Sequence, residues 1–79
     1  MRISLTNQPF TLDALGLRCP MPVQRVRKAL KSMDKGQTLH LLGDDPESLH
    51  DIPALLARLN ISEARILEQE IGWLFIINI

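Results

Sequence analysis

The chain has 79 residues, 46% hydrophobic and 23% charged, which fits one small domain over residues 1–79 and excludes a disordered, collagen-like or coiled-coil protein. One cysteine allows no intrachain disulfide framework, and with two histidines it leaves too few soft ligands for a closed zinc site. The zero formal net charge is a cancellation: six basic residues face one acid between Arg18 and Lys35, and seven acids face two arginines from Asp44 to Ile79, so local fields decide what approaches each face.

Met1 to Thr11 contains no apolar leader, and the longest apolar run, Trp73 to Ile77, falls far short of the ~20 residues that a bilayer span needs. A soluble cytoplasmic protein is the expectation. In Phe10 to Leu15, Phe10, Leu12 and Ala14 alternate with Thr11, Asp13 and Leu15, which predicts a first strand ending at Gly16. From Pro22 the period becomes helical: Val23, Val26, Leu30 and Met33 lie on one side, and Gln24, Arg25, Lys28 and Lys31 on the other. Pro20 and Pro22 place the start of this helix at Cys19 to Pro22, because proline is tolerated only where an N–H is not needed, and Gly36 marks its stop.

Thr38, Leu39, Leu41 and Leu42 between two glycines suit a short central strand over Gln37 to Gly43. Asp45 followed by Pro46 reads as the N-cap and first residue of a second helix, with Leu49, Ile52, Leu56 and Leu59 as its apolar stripe. Pro53 inside that stripe predicts a kink, or a restart with Asp51 as a second cap, and Asn60 is the expected stop. Ala64 to Glu70 and Trp73 to Ile79 flank a turn at Gly72 and read as a hairpin, whose last strand is apolar on both faces and implies a covered second face. The order is βαβαββ, and each helix has one apolar stripe. The fold class is therefore a two-layer α/β sandwich, with two helices on one face of a four-stranded mixed sheet.

Cys19 is the residue with chemistry to offer. Thiolate is the reactive form of cysteine, and a helix N-terminus or a neighbouring cation lowers the thiol pKa. A helix dipole at an exposed site contributes about 0.3 to 1 kcal/mol, under one pKa unit, so Arg18 and the basic helix are expected to supply the rest. Pro20 and Pro22 stiffen the turn that holds the sulfur out. The basic face Arg25, Arg27, Lys28 and Lys31 begins one turn from Cys19 and is a candidate docking surface for a partner. Three aromatic residues, no tyrosine and zero net charge argue against direct reading of nucleic acid. His40, on a strand, and His50, on a helix, read as structural.

Leu12-Asp13-Ala14-Leu15-Gly16-Leu17-Arg18-Cys19-Pro20-Met21-Pro22-Val23, with Arg27-Lys28-Ala29-Leu30, Gly36, Asp44-Asp45-Pro46 and Asp51-Ile52-Pro53, resembles the TusA/SirA family of small sulfur-carrier proteins with its Cys-Pro-x-Pro motif. The similarity runs from Leu12 to about Leu59. It implies that Cys19 accepts a sulfane sulfur as a persulfide from a donor such as a cysteine desulfurase or a rhodanese, with no metal and no organic cofactor. The sulfur then passes to an acceptor protein, in routes that include tRNA thiolation, molybdenum cofactor assembly and sulfur oxidation. Members serving tRNA thiolation tend to end in a basic tail, whereas this chain ends without charge. A carrier of this kind, a monomer or weak homo-oligomer, needs no general acid or base of its own, because its partners bring them. The alternative is a non-catalytic protein- or RNA-binding regulatory module that uses the basic first helix.

Overall fold

The computed structural model describes residues 10–79; residues 1–9, most of the stretch read for a leader, lie outside it. The order is β1 (Phe10–Ala14), α1 (Met21–Lys31), β2 (Thr38–Gly43), α2 (Ser48–Arg58), β3 (Arg65–Glu68) and β4 (Trp73–Asn78). The strands form one sheet in the order β1-β2-β4-β3, with β1 parallel to β2 and both other pairings antiparallel. This is the expected two-layer sandwich. Neither helix of the described residues is long and apolar enough to cross a membrane.

Strand alternation sets the two faces. Leu39 and Leu41 of β2 lie opposite Ile77 and Phe75 of β4. All four are buried, together with Ala14, with Val26 of α1 and with Ile52, Leu55 and Leu56 of α2. The alternate set, His40 and Leu42 beside Ile76 and Leu74, is half-buried on the opposite face. Among the described residues no element lies across that face, so the apolar character of β4 on both sides marks an open sheet surface.

Three boundaries differ from the sequence reading, each for a physical reason. Helix α2 starts at Ser48 with Glu47 as its N-cap, not at Asp45 and Pro46, because the chain first closes a tight turn in which the Ser48 N–H bonds the Asp45 carbonyl. Helix α1 stops at Lys31 rather than near Gly36. The N–H groups of Ser32 and Met33 bond the carbonyls of Ala29 and Leu30, a 3₁₀ tightening that ends the helix, and the Ser32 hydroxyl donates to the Ala29 carbonyl as well. Gly36, at φ +93°, instead forms the turn that opens β2. Helix α2 runs unbroken through Pro53 instead of restarting at Asp51. An interior proline costs about 3 kcal/mol, but burying Ile52, Leu55 and Leu56 contributes about 1.5 to 3 kcal/mol each, so packing outweighs the lost hydrogen bond. At its C-terminus Asn60 adopts φ +60°, and the N–H groups of Asn60 and Ile61 reach the carbonyls of Ala57 and Leu56. This is a Schellman closure, with asparagine in the position glycine usually takes.

Candidate functional site

Because β1 and β2 are parallel neighbours that end together at Ala14 and Gly43, the loops that follow them leave the same edge of the sheet. The first loop carries Gly16, Arg18 and Cys19, and the second carries Asp44 and Asp45. The second loop holds the first. The Oδ1 of Asp44 accepts from the Gly16 N–H at 2.9 Å and from Arg18 Nη1 at 3.0 Å. Asp45 is 5% exposed; its Oδ2 accepts from the Cys19 N–H at 2.8 Å, and its Oδ1 accepts from the Glu47 N–H at 3.1 Å. Asp45 thus holds the turn that leads into α2 rather than serving as its N-cap, which is Glu47, and in the same act it pins the backbone under the sulfur. The hairpin turn backs this loop: a Cβ on Gly72 would collide with the Gly43 carbonyl oxygen and lie 2.8 Å from the Asp44 Cα.

Cys19 is an exposed free cysteine. It opens onto a groove of about 240 Å³ between the helices, lined by Cys19, Pro20, Val23 and Arg27 on one side and by Asp51, Ala54, Leu55 and Arg58 on the other. A second depression of about 300 Å³ shares Arg27 and adds Leu30, Lys31, Leu59 and Ile61. Of the basic residues expected to dock a partner, Arg27 and Lys31 border these hollows. Arg25 and Lys28 are exposed and line neither.

The electrostatics around the sulfur reverse the expectation of an activated thiolate. The Asp51 carboxylate, accepting from the thiol, pushes Cys19 above its ordinary value, and desolvation and the charges of Asp51, Asp45 and Glu47 act in the same direction. Arg18 does not offset them, because its guanidinium is committed to Asp44 and to the Leu17 carbonyl. The helix start offers few donors to the sulfur: Pro20 and Pro22 have no N–H, and the Met21 and Gln24 N–H groups are bonded to the Arg18 and Pro20 carbonyls. Pro22 is fully buried and anchors the turn, while Pro20 is exposed beside the sulfur. Asp44 is held below the usual carboxylate range, first by the Gly16 N–H and then by Arg18.

Sequence reasoning missed Asp51 and Arg58 as groove residues and saw Asp45 only as a cap. Asp51, Ala54, Leu55 and Arg58 follow the i, i+3, i+4, i+7 spacing of one helix face, as Pro20, Val23 and Arg27 do at i, i+3 and i+7. That matched spacing is the signal that could have paired them. His40, on the open sheet face, and His50, exposed on α2, do not line the groove.

The family model described as sulfurtransferase TusA matches residues 10–79. The match extends through the β3–β4 hairpin, beyond the point near Leu59 where the motif resemblance fades. The chain belongs to the TusA sulfurtransferase family, a family of sulfur carriers.

Proposed function

We propose that this protein is a cytoplasmic sulfur carrier that relays sulfane sulfur as a persulfide on Cys19, taking it from a cysteine desulfurase or a rhodanese and passing it to an acceptor protein. The observation that carries this reading is the placement of the chain's one cysteine. Its sulfur is exposed at the mouth of the groove, in the Cys-Pro-x-Pro turn, on a backbone fixed by a buried carboxylate. Loading is an exchange between sulfurs: the donor's S–S bond breaks, a new S–S bond forms at Cys19 Sγ, and the Cys19 proton leaves with the departing donor thiol. Cys19–SH and a donor persulfide anion thus give a Cys19 persulfide anion and a donor thiol, with no oxidant and no metal in the balance. Arg27 at the groove and Lys31 at the neighbouring depression suit an acidic docking partner, and a free thiol persists in a reducing compartment.

Incubation with a desulfurase and cysteine, or with a rhodanese and thiosulfate, should add the mass of one or more sulfur atoms to the intact protein, reversibly on reduction. Cys19→Ser should take up none. A wild-type protein that stays unmodified with both donors, or a Cys19→Ser protein that gains the same adduct, refutes the carrier assignment.

A further inference from the structure

Charges of both signs meet at the groove beside Cys19. The acids Asp45 and Glu47 of the β2–α2 loop and Asp51 of α2 act on Sγ itself. Arg27 of α1 and Arg58 of α2 line the same groove, and among the described residues the one ion pair is Arg18 with Asp44, so neither guanidinium is bound to a carboxylate. A persulfide adds its outer sulfur about 2.05 Å beyond Sγ. The groove, at about 240 Å³, has the volume of several waters at ~30 Å³ each, which is room for that outer sulfur and for a partner's reactive group beside it.

Resting on the carrier reading above, we propose that the groove sorts the two sulfurs of the loaded carrier by charge, with Asp51 beside Sγ and Arg27 with Arg58 receiving the outer sulfur as its anion. The two guanidiniums form an anion subsite for a sulfane sulfur. The outer sulfur is the atom that must be presented, ionised, to an acceptor. Sγ must stay bonded until it leaves. Opposite local fields on atoms one bond apart meet both demands without a general acid or base.

The test separates the two sulfurs. Protein is loaded on Cys19 with inorganic polysulfide and desalted, and alkylation by iodoacetamide is followed against pH by intact mass for the loaded and the empty forms. In Arg27→Gln/Arg58→Gln the persulfide midpoint should rise by about one pH unit, the usual effect of losing an opposite charge at close range, while the empty thiol's midpoint moves less. In Asp51→Asn the empty thiol's midpoint should fall while the persulfide's moves less. Both arginines are exposed, so the double variant should fold, and Arg27→Lys/Arg58→Lys should restore the persulfide midpoint. Equal shifts of both sulfurs in either variant, or no persulfide shift in the double glutamine variant, overturn the sorting alone. A wild-type protein that holds no persulfide after chemical loading overturns the carrier reading and the sorting with it.

Discussion

Replacing Asp45 by alanine isolates the contact that joins fold and site. The carboxylate is 5% exposed and accepts two backbone N–H groups, Cys19 at 2.8 Å and Glu47 at 3.1 Å. A hydrogen bond to a charged acceptor contributes about 1.5 to 3 kcal/mol, so the upper bound for losing both is about 6 kcal/mol. Cys19 is exposed, however, and its freed N–H can turn to water, while the Glu47 N–H lies in the turn before α2, where losing a capping side chain costs about 0.5 to 2 kcal/mol. The expected loss is therefore about 2 to 3 kcal/mol. A chain of this length has roughly 4 to 12 kcal/mol in total, and each kcal/mol shifts Tm by about 4 to 8 °C in a domain of this size, so Tm should fall by about 8 to 24 °C. Urea unfolding should show a lower midpoint at unchanged slope, the sign of altered stability rather than altered compactness.

A second readout tests the site itself. Amide exchange at Cys19 should be slow in the wild type and faster in Asp45→Ala, because that N–H has Asp45 as its partner. Asp45→Asn retains one carbonyl oxygen and turns an NH₂ toward the other donor, so it should lie between the two. An alanine variant within about 0.5 kcal/mol of wild type, with Cys19 exchange unchanged, would show that the carboxylate does not hold the turn.

Two further outcomes follow from the same edge of the sheet. Gly72→Ala meets both a positive φ of +73° and the backbone of Gly43 and Asp44, so urea unfolding should report a loss of about 2 to 4 kcal/mol; a neutral effect would mean that the hairpin turn does not press on the Asp44 loop. Asp44 is held below its unfolded value, so its stabilising contribution is present above that value and disappears as pH falls through the lower folded one. Asp44→Asn should accordingly flatten the acid limb of stability against pH below about 4, and an unchanged limb in acid titrations followed by circular dichroism would rule out that linkage.

Local signals read well in this sequence, and long-range ones did not. Strands β1 and β4, the start of α1 between two prolines, and the stop at Asn60 depend on neighbours a few residues away, where period and backbone preference decide. Gly36 misled because a glycine after a helix serves equally as a C′ residue or as the turn before a strand, and the bonding of Ser32 and Met33 to the preceding carbonyls settled which. Pro53 misled because its local cost is smaller than the burial of Ile52, Leu55 and Leu56, a tertiary quantity. Arg18 was legible as a cation beside Cys19 but not as the partner of Asp44, 26 positions away. The pairing of two parallel strands, which no window of the sequence contains, brings the acidic loop to the cysteine.

The consequence for reactivity can be worked from general thiol chemistry. For each unit by which the Cys19 pKa rises, the thiolate fraction near neutral pH falls tenfold, while the nucleophilicity of the remaining thiolate grows only about threefold, given a Brønsted coefficient of 0.4 to 0.5. The empty carrier therefore reacts more slowly with diffusing electrophiles and oxidants, by about three- to fourfold per unit. The same shift makes Cys19 a poorer leaving group once it is loaded, since a thiol of higher pKa departs more slowly. In the relay proposed above, both halves are thus restrained by Asp51, Asp45 and Glu47, and a partner's cation brought against those carboxylates would relieve both. The proposed subsite of Arg27 and Arg58 would leave the outer sulfur outside this restraint.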